Sequence, residues 1–249
     1  MVFLLLPLVV TVAVSLDVGP VLRFPPEDIG ISRYVKLLSD PLWLKPLLRS
    51  LRYAVCVALV STAIGLVAAY AIRQGRLPFQ SAIVGLLLLP LFFPPVVLAV
   101  GQLKLFTRLG AFDTGLSVVL CHSVLCVPIT FLVMFVSLSN RVAALEDIAA
   151  TLGATPFLAF TRVTLPLITR GLGVAAFLSF MMSFDEAVLS LFLTSHRART
   201  LPRQIYDGLR YELDPVVAAV AGLLVFFWSI IVLSAVLRRS WIDSAARRL

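Results

Sequence analysis

The chain has 249 residues, of which 60% are hydrophobic and 14% charged, and it carries a formal net charge of +8. Soluble domains contain about 45–50% apolar and about 25% charged residues, so this composition excludes an ordinary water-soluble fold. The surplus Lys and Arg lie between apolar runs and at the C-terminus, where lipid headgroups rather than nucleic acid are the expected neighbours.

Crossing a hydrocarbon core takes about 20 mainly apolar residues per helix. The apolar runs predict an all-α membrane protein of about six spans, near 2–20, 51–72, 81–103, 116–138, 171–193 and 216–237, in one membrane domain over 1–249. The first run, Val2 to Leu16, is short for a span, and Ala13-Val14-Ser15 also fits a signal-peptide cleavage site. Both readings leave the next segment outside. Asp17 to Ser50 mixes charge, proline and amphipathic stretches such as Ile31 to Leu38, which predicts a segment lying along the outer surface.

In the third run, Pro90, Pro94 and Pro95 each remove a backbone donor, which predicts a kinked helix. The fourth run holds Pro128. Asp214-Pro215 supplies a cap and first-turn proline for the sixth, and the chain closes on Arg238-Arg239 and Arg247-Arg248, suited to an anionic cytoplasmic leaflet. With the N-terminus inside, a simple count puts more Lys and Arg in outer segments than in cytoplasmic ones, so charge alone does not orient the chain.

Between spans four and five, Ser139 to Arg170 is polar yet keeps helical patterning. Leu145 to Leu152 reads as a short helix ended by Gly153, and Thr155-Pro156 starts another. Phe157, Phe160 and Leu165 put apolar knobs on that second element, outside the bilayer, where they need a partner groove or the membrane surface. The fifth span carries Asp185 and Glu186, ionisable groups that cost at least ~2.5 kcal/mol at membrane depth and therefore point to function. Ser179, Ser183, Glu186, Ser190 and Thr194 fall at helical steps on one polar stripe, from which Asp185 projects away.

The run Asp147-Ile148-Ala149, then Gly153, then Val163-Thr164-Leu165-Pro166 resembles the Glu-Ala-Ala, Gly, Ile-x-Leu-Pro signature of bacterial ABC-importer permeases, with the same spacing. Asp147 stands in place of the usual glutamate and Ile148 in place of the first alanine. The resemblance implies a cytoplasmic coupling-helix loop between helices 4 and 5, with Asp147, Ala149, Gly153, Ala154, Pro156, Phe157, Phe160, Leu165 and Pro166 as its ATPase-coupling residues. It implies as partners a cytoplasmic ABC ATPase dimer, a second, paralogous permease subunit and an extracytoplasmic solute-binding protein, with all of them assembled at the bacterial inner membrane. ATP and Mg would bind the partner ATPase; no cofactor is expected on this chain. Consistent with that division, Lys36, Lys45 and Lys104 are the only lysines and none lies in a Gly-Lys-Ser/Thr run, so the chain is not a P-loop ATPase.

Ser183-Phe184-Asp185-Glu186, Leu191-Phe192-Leu193-Thr194 and Leu201-Pro202 with Ile205-Tyr206 resemble the spermidine/putrescine-type branch. That resemblance implies a substrate path including Ser183, Asp185 and Glu186, and a cationic amine as cargo. Val96 follows Pro95 where some polyamine-type relatives carry an acid, which removes one carboxylate from such a path. Sister groups move other small organic solutes, and an ATP-independent channel or secondary carrier is the rival reading. Cys121, His122 and Cys126 do not converge on one helix face, so no metal site is expected. Ser and Asp are plentiful, but a nucleophilic triad with a histidine base has no support, and a catalytic role is not expected either.

Overall fold

The computed structural model describes residues 2–19, 21–75, 77–212 and 214–230. The arginine pairs at 238–239 and 247–248, and the end of the expected sixth span at 231–237, lie outside the described residues. Among the described residues the regular structure is helical, with one isolated antiparallel bridge between Asp17 and Ile29. In chain order the helices are α1 (Val2–Ser15), α2 (Ser32–Ser39), α3 (Pro41–Arg73), α4 (Gln80–Leu88), α5 (Pro95–Arg108), α6 (Gly115–Ser137), α7 (Asn140–Thr151), α8 (Pro156–Ala159), α9 (Leu165–Asp185), α10 (Val188–Leu193), α11 (Leu201–Asp207) and α12 (Val216–Ile230).

Among the described residues, three helices are long and apolar enough to cross a membrane: α3, α6 and the continuous run Pro156–Asp185, which joins α8 to α9. A fourth crossing is available if Gln80–Phe92 and Pro95–Arg108 form one span, bent by 104°. The expected kink is thus a full break. Its cause is local: α4 tightens into a 3-10 turn at Leu89–Phe92, Phe93 and Pro94 are extended, and Pro95 opens α5 at its first turn. A residue before proline is driven out of the helical region, and Phe93 and Pro94 both precede one. Pro128, by contrast, is absorbed within α6 without ending it. Leu6–Ser15 and Val216–Ile230 are apolar but shorter than a full crossing among the described residues.

The chain divides into two compact units, Met1–Lys45 with Gln204–Leu249, and Pro46–Arg203. In the first, Arg33 of α2 is buried against Asp17, with Nη2 donating to Oδ2 at 2.9 Å and to the Gly19 carbonyl at 2.7 Å, and Nη1 donating to the Val14 carbonyl at 2.8 Å. A buried ion pair is tolerable only when its remaining donors are hydrogen-bonded, as they largely are here. Asp214 accepts from the Val216 N–H at 3.0 Å and from Trp43 Nε1 at 3.1 Å, so it caps α12 as its sequence position predicts.

In the second unit α3 and α6 meet along Ser61, Gly65 and Ala69, small residues four apart that let two backbones approach. A Cβ on Gly65 would lie 2.4 Å from Thr130 Oγ1 and 2.7 Å from the Phe131 nitrogen, so only glycine fits. From Ala69 the seam continues into one core of Ala69, Ile72, Phe131, Met134, Ile168 and Ala175 that links α3, α6 and α9.

The expected fifth span, 171–193, differs from what is observed. Its helix begins earlier, continues from Pro156, and stops at Asp185. Glu186 is extended (ψ 101°), and α10 then starts anew. Leu189 and Leu193 of α10 pack with Ala99, Phe106, Cys121 and Leu125 of α5 and α6.

Candidate functional site

The polar loop folds much as its residues dictate. α7 ends at Thr151, and Gly153 takes φ +88°, a left-handed turn closed by the Gly153 N–H to the Ala150 carbonyl and the Ala154 N–H to the Ala149 carbonyl. Thr155 then caps α8, its hydroxyl accepting the Leu158 N–H at 3.3 Å, with Pro156 in the first turn. The second element is not a separate short helix, however. It runs through a π-turn at Phe160–Thr164 directly into α9, because Leu165-Pro166 retains helical geometry and the proline falls where α9 begins.

Exposure separates the loop's side chains into two sets. Ile148 (54%), Leu152 (83%) and Phe157 (77%) are apolar and exposed beside the exposed Asp147. In a membrane protein, exposed apolar side chains of this kind face either lipid or a protein partner. Phe160 belongs to the other set: its ring meets Tyr70 of α3 edge-on at 5.0 Å. Ala149 and Ala154 are half-buried at the hinge, and Leu165 and Pro166 continue into α9.

The buried side of the loop centres on Glu146, which the sequence pattern did not single out. Its carboxylate accepts from the Tyr70 hydroxyl, from Arg73 Nη2 at 2.7 Å and from the Thr164 hydroxyl at 2.8 Å. Burial alone raises its pKa, but the hydrogen bonds from Tyr70, Thr164 and Arg73, with the Arg73 charge, outweigh it and hold the carboxyl below the ordinary glutamate value.

The polar stripe of the fifth span is brought together with α6. His122 Nδ1 lies 2.9 Å from Ser183 Oγ, and Nε2 lies 3.5 Å from Ser190 Oγ. The Ser190 hydroxyl donates to the Glu186 carbonyl at 2.7 Å, so the imidazole is held between two serines of the stripe. The space enclosed by His122, Cys126, Ser183 and Glu186 has no room for a water. Glu186 Oε1 accepts the Leu189 N–H at 3.0 Å and so caps the restarted helix. Asp185 is exposed at the break, on the end of α9. The three expected path residues thus separate: Ser183 is closed in against His122, Glu186 is half-buried as a cap, and Asp185 alone presents an open carboxylate.

In the segment after α10, the backbone N–H groups of Ser195, His196, Arg197 and Ala198 donate to Asp113 (φ 56°) at 2.7–3.1 Å. Burial raises its pKa, and the four donors together more than offset this and hold it below the ordinary aspartate value. That clamp, with Ser50 Oγ accepting the Leu201 N–H at 2.8 Å, fixes the segment after α10. Among the described residues no group of three His, Cys, Asp or Glu is placed to hold a metal.

A bent pair of apolar helices, long apolar helices and a polar loop hinged at Gly153 define a polytopic membrane protein. The family model for the inner membrane component of binding-protein-dependent transport systems matches residues 61–246, and the chain belongs to that family. It is therefore an inner-membrane permease subunit of an ABC importer. Among its relatives, the putrescine transport system permease protein PotI of Escherichia coli (strain K12) is 29% identical over 77% of this chain and 70% of its own length. The spermidine/putrescine transport system permease protein PotC of the same strain is 28% identical over 81% and 76%. A trehalose transport system permease protein, SugB of Mycobacterium tuberculosis, is 27% identical over 86% and 79%. In fold, a bacterial ABC transporter involved in the import of the acidic polysaccharide alginate matches the whole chain and 91% of its own, with a TM-score of 0.69 at 17% identity.

Proposed function

We propose that this chain forms part of the translocation path of an ATP-driven importer for a small organic cation, a polyamine such as spermidine or putrescine. The exposed Asp185 carboxylate carries this reading. An acid at a break in a membrane helix is expensive unless something cationic or aqueous meets it, and an ammonium group supplies both charge and hydrogen-bond donors. The PotI and PotC relatives support the cargo; the SugB relative has a different one, so kinship alone does not select it.

In this reading the six apolar runs form six spans, and the loop bearing Asp147, Ile148, Leu152 and Phe157 docks into a cytoplasmic ATPase. A dimer of that ATPase binds ATP and Mg, a second permease subunit completes the path, and an external binding protein delivers the solute. Ser183 and Glu186 support the path indirectly, by holding the helix break that presents Asp185.

The test is uptake by proteoliposomes carrying the complete transporter with its binding protein. ATP-dependent accumulation of labelled putrescine or spermidine, lost in Asp185→Asn with the complex still assembled, is the expected result. Accumulation of trehalose but neither amine refutes the cargo. Uptake without ATP refutes the importer reading.

A further inference from the structure

We propose that Glu146 is the positioning residue that joins the docking loop to α3, so that a push on the loop moves the end of that span. The inference rests on the docking role proposed above. Three observations carry it.

The first is the division of labour between neighbours. Asp147 is exposed, whereas Glu146, about 100° around the helix, is 8% exposed and points inward. The two acids of α7 therefore face different partners: one the solvent side where an ATPase would sit, the other the membrane helices.

The second is the number of elements that converge on one carboxylate. Tyr70 and Arg73 lie on the last turn of α3, and Thr164 ends the π-turn that leads into α9. Both oxygens of Glu146 are engaged, so α7 cannot shift without dragging on α3 and on the start of α9 together. Charge-assisted hydrogen bonds hold direction as well as distance, which apolar packing does not.

The third is the local geometry around the network. The extra residue of the π-turn is an unusual feature of a helix and is found mostly at functional sites. Here it separates exposed Phe157 from buried Thr164 and sets Phe160 against Tyr70. Arg73 also lies over the Tyr70 ring at 5.6 Å, and its Nη1 is buried without a partner. That donor is available to follow the carboxylate when the loop moves.

The experiment has two readouts. Hydrogen exchange on the purified chain in detergent reports whether the clamp exists: Glu146→Gln is expected to speed exchange of amides 142–151 by about tenfold, the scale of one weakened charge-assisted bond, while α9 stays protected. In the reconstituted transporter the same variant is expected to co-purify with the ATPase but to take up about tenfold less solute per ATP hydrolysed. A merely structural residue would lower the yield of complex without changing that ratio.

Unchanged exchange, or a native ratio of uptake to hydrolysis, overturns the proposal. Should Glu146→Gln not fold, Tyr70→Phe and Thr164→Val each remove one donor, and the same readouts decide. Should the wild-type assembly show no ATP-driven uptake, the docking reading fails, and exchange of α7 alone decides the clamp.

Discussion

Thr130 of α6 donates its hydroxyl to the carbonyl oxygen of Ser61 on α3 at 2.7 Å, immediately above the point where Gly65 lets the two backbones touch. Membrane helices gain little from apolar burial against each other, because lipid is as apolar as leucine. Close approach and interhelical hydrogen bonds must hold them instead. This seam supplies both and sets the spacing from which the loop and the helix break are measured.

Gly65→Leu is therefore expected to be among the most damaging single changes in the unit. Its Cβ would meet backbone as well as the Thr130 side chain, and overpacking of this kind costs about 1–3 kcal/mol. Gly101→Ala is the matched control, since nothing lies within 4 Å of where its Cβ would sit, and alanine in a helix gains up to about 1 kcal/mol over glycine. Thermal unfolding in detergent, followed by loss of monodisperse protein, should separate the two. Equal melting of Gly65→Leu and wild type would remove the seam from the account.

Asp113→Asn should loosen the segment 195–198, because a neutral amide replaces a charged acceptor of four N–H groups. The cost is about 2 kcal/mol, that of weakened hydrogen bonds to a charged group. The pH dependence has a fixed sign. The folded pKa of Asp113 is depressed, so its stabilisation is full above the ordinary carboxylate range and is lost as pH falls through the folded value. Glu146 has the same sign, so the measurement is the difference between variant and wild type. That difference should shrink on acidification below about pH 4. A difference that stays constant to low pH would show that the charge of Asp113 does not matter.

What could be read from the sequence was local. Gly153, Thr155-Pro156 and Asp214-Pro215 act on their own backbones, and each does in the structure what its residue type demands. Pro94-Pro95 was legible as a kink but not as a 104° break, since the depth of a bend depends on what packs around it. The stop at Asp185 was not legible: no glycine or proline marks it, and the polar stripe continues in helical register across it. Glu146 escaped notice because Tyr70 and Arg73 are 76 and 73 residues away. The partnership of His122 with Ser183, 61 residues on, was hidden for the same reason.

The adjacent acids at the break should respond differently to neutralisation. Glu186→Gln retains an oxygen for the Leu189 N–H and should leave the melting temperature nearly unchanged, whereas Glu186→Leu removes the cap and should cost about 1 kcal/mol. Asp185→Asn touches no such bond and should act on uptake alone. Melting curves paired with amine uptake distinguish the roles. A fall in stability for Asp185→Asn, with uptake intact, would assign both acids to the fold.

The two phenylalanines of the loop offer the sharpest contrast. Phe157 is 77% exposed, so Phe157→Asp should leave the chain folded while abolishing co-purification with the ATPase. Phe160 meets edge-on the ring of Tyr70, whose hydroxyl donates to the carboxylate of Glu146. Phe160→Asp would put a negative charge against the Tyr70 ring that serves that carboxylate and remove a ring contact worth about 1 kcal/mol. It should lower stability and, by displacing Tyr70 from Glu146, free α7 to exchange. Exposed residues of a docking surface fail in binding first, and inward residues fail in folding first. If Phe157→Asp still captures the ATPase at wild-type yield, the contact surface must lie elsewhere on the loop, with Ile148 and Leu152 the next residues to change.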